Sequence, residues 1–323
     1  MIPPYHITPE ILKLITSISE KLGAVSALNM ERPSATLRKK NRIKTLHSSL
    51  AIEGNTLTIP QITALIEDKR VLGPVKDILE VNNAIDVYDQ LDTFNPLSLT
   101  ALLRAHKMMM KGLIKSAGKF RTGQVGIMKG SKVAHLAPPG PLVKGLIKDL
   151  ISYLKTHNDP ELIKSCVFHY ELEFIHPFQD GNGRMGRFWQ TLILKEKNPV
   201  FEYLPVEHLI KSKQEDYYKS LSKADKVGNA TPFIVFMLHI IDLALDELLQ
   251  QQTPHHTPQN RLEIFRRNQK TTYFTRKDYL LAFKTISTAT ASRDLRLAVE
   301  QGLIIKSGDK RLTSYSFKPK SSV

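Results

Sequence analysis

The chain has 323 residues, of which 41% are hydrophobic and 24% charged, and it carries a formal net charge of +15. The length fits two or three domains, the composition is that of a globular protein, and no apolar run approaches the ~18 residues of a membrane span. The single cysteine, Cys166, excludes an intramolecular disulfide, and the first residues lack the charged and apolar segments of a signal peptide. A cytoplasmic protein that does not enter the membrane is therefore expected.

In chain order, Thr8-Pro9-Glu10 reads as an N-cap followed by Pro at N1. Ile11, Leu14, Ile15, Ile18 and Leu22 then form a helical stripe with Gly23 as its stop. A second helix runs from about Ala35 to Glu53, with Leu37, Ile43, Leu46 and Leu50 on its apolar side and Gly54-Asn55 ending it. Glu53 falls in the last turn, where the helix dipole disfavours an anion, so a cation opposite it is expected. Helices over roughly Ile59–Glu67 and Asp77–Leu91 follow, and another runs from Ser98 to about Ile114, with His106 read as a core histidine. Val125, Ile127 and Val133 are strand-like, and Lys129-Gly130-Ser131 supplies the turn of a hairpin. Helices over Leu142–His157 and Glu161–Ile175 come next. The second carries Leu162, Ile163, Val167, Phe168, Leu172 and Ile175 and is expected at the centre of the core.

The stretch His176-Pro177-Phe178-Gln179-Asp180-Gly181-Asn182-Gly183-Arg184-Met185-Gly186-Arg187 carries the chemistry. Gly181-Asn182-Gly183 can turn tightly and bare its backbone N–H groups to an anion. A helix starts there and runs to about Lys197, which adds the positive end of a helix dipole. Arg184 and Arg187, three apart, share one face of its first turn, and guanidinium forks suit phosphate oxygens. Asp180 is a hard carboxylate placed to hold Mg²⁺ on such phosphates. His176 has the ordinary pKa, about 6.5, of a general base at neutral pH. The Pro that follows is expected to hold His176 in an extended conformation and so to end the preceding helix.

This stretch resembles, without gap or departure, the signature of the Fic (filamentation induced by cAMP) family, His-Pro-Phe-x-Asp/Glu-Gly-Asn-Gly-Arg-x-x-Arg. The resemblance implies a mainly α-helical fold and transfer of AMP from Mg-ATP to a Tyr, Thr or Ser hydroxyl of a target protein or of the protein itself. It implies His176 as the base, Asp180 as the Mg²⁺ ligand, and Gly181, Asn182, Gly183, Arg184, Gly186 and Arg187 as the cradle for ATP. Ser49-Leu50-Ala51-Ile52-Glu53-Gly54 resembles the family's inhibitory motif, Ser/Thr-x-x-x-Glu-Gly/Asn, whose Glu pairs with the second arginine, here Arg187. Arg187 cannot serve Glu53 and a γ-phosphate together, and misplacing the phosphates is enough to inhibit. Gly118-Lys119-Phe120-Arg121 resembles the family's Gly-x-x-Arg segment, in which the arginine is structural. The hairpin corresponds to the flap over the site, with Val133, Ala134, His135 and Leu136 near nucleotide and target; in the family it adds the target as an extra strand. Tyr217-Tyr218, on a helix near Glu207–Ala224, corresponds to a pair that stands beside the adenosine, and plain packing is the alternative for it.

A long apolar helix from Pro232 to about Leu249 has no chemistry in it. Gln250-Gln251-Gln252-Thr253-Pro254-His255-His256-Thr257-Pro258 reads as a linker, and its His pair lacks partners spaced for a metal. Beyond it, Phe274–Tyr279 starts one helix and Ile286–Leu295 resembles the turn and recognition helix of a winged helix. Gly302–Ile305 and Tyr315–Phe317 would form a two-stranded wing, with Gly308-Asp309-Lys310-Arg311 between. Residues 261–320 hold fourteen Lys/Arg against five Asp/Glu, as phosphate-backbone binding would require.

The expected fold is thus mainly α: a Fic-type helical core with a small β-hairpin flap, plus a C-terminal winged helix-turn-helix domain. Its parts are an N-terminal region at 1–95, the core at 96–249, a linker at 250–258 and the basic domain at 259–323. The expected partners are ATP, a target protein and, through the C-terminal domain, DNA; a homo-oligomer is compatible with the sequence. The alternatives are a DNA-binding regulator that only senses nucleotide, or a Fic enzyme that uses another nucleotide or removes AMP.

Overall fold

The computed structural model describes residues 3–28, 32–129, 132–251, 258–269, 272–283, 286–309 and 313–318, with backbone alone at 126–129, 132–136, 251 and 268. The chain divides into two compact units, Met1–Gln251 and Gln252–Val323.

The first unit is helical. It comprises α1 (Pro9–Ala27), α2 (Ala35–Ile52), α3 (Ile59–Ile66), α4 (Val75–Asp89), α5 (Leu99–Met109), α6 (Gly140–Thr156), α7 (Glu161–Ile175), α8 (Asn182–Lys197), α9 (Val206–Ser212), α10 (Gln214–Val227) and α11 (Thr231–Gln251). Between α5 and α6 lies a hairpin, β1 (Gly126–Lys129) and β2 (Lys132–Leu136). The N-terminal helices and the 96–249 segment share one hydrophobic core, which runs from Ile11 to Leu248. As expected, α7 is central: Ile163, Cys166, Val167, Phe168, His169 and Leu172 are all fully buried, so more than one face of it is covered. α8 packs along α7, α1 along α11, and α2 against α9.

Several expected boundaries move. α1 runs through Gly23 to Ala27, because Gly23 does not adopt the left-handed cap and Val25 beyond it is buried. α5 ends at Met109, not Ile114; the N–H of Met110 closes on His106 O and the chain turns at Gly112. The single helix expected near 207–224 is two, α9 and α10, broken at Lys213. α9 buries Leu209 and Ile210, whereas α10 buries Tyr217, Ser220 and Ala224. In the hairpin, Gly126 pairs with Leu136, Ile127 with His135 and Met128 with Val133, with an irregularity that leaves Ala134 between them. The expected turn residues Gly130 and Ser131 lie outside the described residues.

The second unit comprises α12 (Pro258–Asn268), β3 (Tyr273–Phe274), α13 (Arg276–Ala282), α14 (Thr288–Glu300), β4 (Ile304–Ser307) and β5 (Ser314–Phe317). Its antiparallel sheet has the order β3-β5-β4. A core of Leu262, Phe265, Phe274, Tyr279, Ala291, Leu295, Ala298 and Ile304 holds it together, and a bidentate pair buries Arg261 on Asp294 at 2.6 and 2.9 Å. Phe274 belongs to a third strand rather than to a helix start; α13 begins at Arg276, capped by Thr275 and Asp278. This succession of elements is compatible with the expected winged helix-turn-helix. His255 and His256 of the linker, and Lys310 and Arg311 of the wing, lie outside the described residues.

Candidate active site

The signature occupies the α7–α8 junction. α7 ends at His176, whose N–H still reaches Leu172 O at 3.0 Å. The expected extended conformation is not found: His176 is left-handed, with φ 49° and ψ 59°. Such a conformation costs a non-glycine residue about 1–3 kcal/mol and needs its surroundings to hold it. Arg121 does so. Its Nε donates to His176 O at 2.7 Å and its Nη2 to Ile175 O at 3.0 Å, while its backbone N–H donates to Pro177 O at 2.9 Å. The same guanidinium donates to Gly123 O at 2.6 Å and Pro138 O at 2.7 Å, the two sides of the hairpin's base. One buried arginine thus fixes both His176 and the root of the hairpin.

The loop between the helices is internally braced. Asn182 accepts from Phe178 N at 2.9 Å and donates to Phe178 O at 3.0 Å, so its side chain is committed to the loop and only its backbone is left for a ligand. His106 stacks on Phe178 with ring centroids 3.6 Å apart. Its Nδ1 accepts from Gly118 N at 2.9 Å and its Nε2 donates to Asp180 O at 3.0 Å, which selects one neutral tautomer. Burial pushes its pKa down to about 4, against the hydrogen bond to Asp180 O. Gly181 stands at φ 84°, where the backbone of a Cβ-bearing residue would be strained and where its Cβ would press on Met110. The chain then enters α8 with Asn182 and Gly183 in its first turn.

Asp180 lies over that turn. Its Oδ1 accepts from Gly181 N at 2.6 Å and from Arg184 Nη2 at 3.2 Å, and its side chain is 49% exposed. Among the described residues no three His, Cys, Asp or Glu side chains cluster as a metal site. A cation on Asp180 would therefore take its other oxygens from water or a ligand, which is the manner in which Mg²⁺ meets nucleotide phosphates.

The two arginines are both buried, Arg184 3% and Arg187 2% exposed. Arg184 Nε and Nη1 make no hydrogen bond; Nη1 lies 3.3 Å from Glu80 Oε1, an ion pair without hydrogen-bond geometry. A buried guanidinium with donors to spare beside a helix N-terminus is suited to an anion. Arg187 is held from the C-terminal turn of α2. Its Nε donates to Ser49 Oγ at 3.1 Å, and its Nη2 to Ser49 O at 3.0 Å and to Glu53 Oε1 at 2.6 Å. Burial would lower the Arg187 pKa, but Glu53, Tyr217 and Glu173 outweigh it and the net direction is up. Glu53 is the C-cap of α2, and Gly54 follows at φ 91°. A Cβ added to Gly183 would collide with Glu53 Oε1 and come within 3.2 Å of Glu173 Oε1, so two carboxylates sit on the first turn of α8.

Other expected site residues lie elsewhere. Gly186 faces α7, where a Cβ would come within 2.6 Å of the His169 ring; its smallness serves helix packing rather than a ligand. Tyr217 is 1% exposed and packs on His169 and Phe233, with its hydroxyl 3.1 Å from His169 Nε2 and 3.3 Å from Glu173 Oε1. Of the pair, only Tyr218 is open, at 44% exposure. Asp225, eight residues beyond Tyr217, accepts from the Tyr170 hydroxyl at 3.0 Å. Val133, Ala134, His135 and Leu136 form β2, described by its backbone alone.

Sequence reasoning missed the groups that hold the α2 terminus. Lys211 Nζ donates to Ala51 O at 2.9 Å, Gln214 Nε2 to Ile52 O at 3.1 Å, and Asn55 Nδ2 to Glu80 Oε2 at 2.9 Å. These partners come from α4, α9 and α10, and no local pattern marks them.

Residues 96–194 match the Fic/DOC family model. A Fic family protein from Desulfovibrio desulfuricans G20 is 39% identical, aligns over 100% of both chains and superposes with a TM-score of 0.76. The chain belongs to the Fic family. The fold also matches Fic-1 from Caenorhabditis elegans at a TM-score of 0.60, 20% identical over 75% of this chain and 71% of that one. Among curated Fic proteins, the protein adenylyltransferase Fic of Nematostella vectensis is 28% identical over 76% of this chain and 58% of its own length. Protein adenylyltransferase fic-1 of Caenorhabditis briggsae is 31% identical over 59% of this chain and 38% of its own length. The chain spans about half the length of the curated relatives it matches. Among the described residues of this Fic protein, no helix is long and apolar enough to cross a membrane.

Proposed function

We propose that this Fic protein is an adenylyltransferase, moving AMP from Mg-ATP to a hydroxyl of a protein, and that Glu53 restrains it. The observation that carries the reading is the state of the two buried arginines. Arg184 keeps two donors without acceptors at the N-terminus of α8, and Arg187, one turn on, is occupied by Glu53. An anion of two or more phosphates fits that pair, and it can engage both only after Glu53 has left. The names of the relatives, protein adenylyltransferases, favour nucleotidyl transfer as the use of such a site.

In this reading His176 takes the proton of the target hydroxyl as its oxygen bonds to the α-phosphorus, and the bond to the bridging oxygen of pyrophosphate breaks. Arg121 keeps His176 aimed through its two carbonyl contacts. The N–H groups of Asn182 and Gly183, with Arg184, hold the charge of the phosphates. Asp180, open and carrying both of its contacts on Oδ1, would hold the Mg²⁺, which supplies charge neutralisation on the phosphates. Tyr218 is the candidate for contact with the base, and the backbone edge of β2 for docking a target strand. The basic second unit is proposed as a winged helix that guides the enzyme to an anionic partner, with duplex DNA as one candidate.

The test is intact-protein mass spectrometry after incubation with Mg-ATP, on wild type, Glu53→Gly and Glu53→Gly/His176→Ala. A single-AMP increment in Glu53→Gly that vanishes in the double variant supports reaction, base and restraint together. Competition by UTP, GTP and CTP identifies the donor. An increment that persists without His176 refutes the base assignment, and transfer no faster in Glu53→Gly than in wild type refutes the restraint.

A further inference from the structure

We propose that Glu80, on α4 and outside the signature, is a positioning residue that holds Arg184 in place for the second phosphate of a nucleotide. This rests on the reading of Arg184 as a phosphate ligand.

Glu80 is 6% exposed, and its two oxygens face different partners. Oε1 lies 3.3 Å from Arg184 Nη1 and 3.8 Å from Lys76 Nζ, while Oε2 accepts from Asn55 Nδ2 at 2.9 Å. Lys76 is itself largely exposed, so its charge is screened by water. Arg184 is the buried cation, and a guanidinium without a counter-ion is strongly disfavoured in such surroundings. Two carboxylates neutralise it, Glu80 and Asp180. Asp180 is half exposed and is also the group proposed for Mg²⁺, which would draw its charge away from the arginine. Glu80 is the carboxylate that remains.

The geometry explains how Glu80 can hold Arg184 without saturating it. Its contact with Nη1 is electrostatic and not hydrogen-bonded, and Nε has no partner. Both donors stay without an acceptor, and the charge of Glu80 holds the guanidinium against α4 while Nη2 donates to Asp180 Oδ1. A carboxylate in full hydrogen-bond geometry on Nη1 would compete with the phosphate, as Glu53 does at Arg187.

Asn55 ties the same carboxylate to the segment that carries Glu53. Asn55 Nδ2 also donates to Asp77 O at 3.1 Å and its Oδ1 accepts from Leu57 N at 3.1 Å, so it anchors the turn two residues after Glu53. Removing Glu80 therefore disturbs two things at once, and the test must separate them. In a Glu53→Gly background the restraint is already gone, and only the effect on Arg184 is left.

The experiment is titration calorimetry with Mg²⁺ and either AMP or ADP on full-length Glu53→Gly protein, to which Glu80→Gln, Asn55→Ala, Arg184→Gln or Glu80→Gln/Arg184→Gln is added. Thermal denaturation of each checks the fold. The parent should bind ADP at least tenfold more tightly than AMP. Glu80→Gln should reduce that preference to less than threefold with AMP affinity changed by less than twofold, and Asn55→Ala should leave the preference intact. In the Arg184→Gln background, Glu80→Gln should change the ratio no further. The double variant removes both buried charges together, so it keeps the test usable if Glu80→Gln alone folds poorly. A parent that prefers ADP and a Glu80→Gln variant that prefers it equally or more would overturn the positioning role and leave the phosphate site standing. Loss of preference in Asn55→Ala as well would reduce Glu80 to a general support of the loop. A parent with no preference for ADP would refute Arg184 as a phosphate ligand, and Glu80 with it.

Discussion

Replacing Glu53 by Ala gives the sharpest prediction, because it should weaken the free protein and strengthen its complex. Glu53 Oε1 lies 2.6 Å from Arg187 Nη2, with 29% of the Glu53 side chain and 1% of the Arg187 side chain exposed. Charges about 4 Å apart at an effective dielectric constant near 20 attract by about 4 kcal/mol. Ser49 Oγ and O still receive Arg187 after the change, and water reaches Glu53, so the protein should lose only about 2 kcal/mol. That corresponds to a fall of roughly 4–8 °C in melting temperature for a unit of this size. Displacing Glu53 is also what ATP must do to reach Arg187, so its removal should tighten ATP binding by a similar energy, about thirtyfold. The assays are thermal denaturation with and without Mg-ATP and a direct titration with ATP. Glu53→Ala should melt below wild type when free and gain more from ATP than wild type does. An unchanged ATP affinity, or a nucleotide-induced shift no larger than that of wild type, would refute the competition between Glu53 and phosphate.

Three further outcomes follow from the contacts. Arg121→Ala removes donors from the carbonyls of Gly123, Pro138, Ile175 and His176; it should destabilise the fold by about 3 kcal/mol or more and abolish transfer even in the folded fraction, checked by urea unfolding and by activity per folded molecule. Gly186→Ala places a methyl group against the His169 ring and should cost about 1–3 kcal/mol in denaturant unfolding while leaving the nucleotide affinity of the folded protein within about twofold. Glu171, on α7 near Asp225, has its pKa raised from 4.5 to about 7 by burial and by the charge of Asp225. The folded state then keeps a proton that the unfolded chain releases, so stability falls as pH rises from about 4.5 to 7 and is flat above. Glu171→Gln should remove that slope and raise stability at pH 8 by about 1–3 kcal/mol; identical pH profiles for the two proteins would show that Glu171 is ionised when folded.

The sequence alone determined the elements whose causes are local. The α7 and α8 helices, the tight turn at Gly181 and the alignment of Asp180, Arg184 and Arg187 over one helix terminus follow from twelve contiguous residues and helical periodicity. The end of α2 at Glu53 was equally legible, because Gly54 marks it, and the dipole there called for a cation without naming one. Only tertiary structure decided which groups meet. Glu53 lies 134 positions from Arg187, and the buried carboxylate beside Arg184 comes from α4, in a stretch that reads as an ordinary helix. His176 shows the same division. A following proline favours an extended backbone, but the two donors that the buried Arg121 guanidinium places on Ile175 O and His176 O outweighed that local preference. Local sterics and periodicity can be read from neighbours in the chain, whereas compensation of a buried charge depends on whichever carboxylate or carbonyl the fold carries to it.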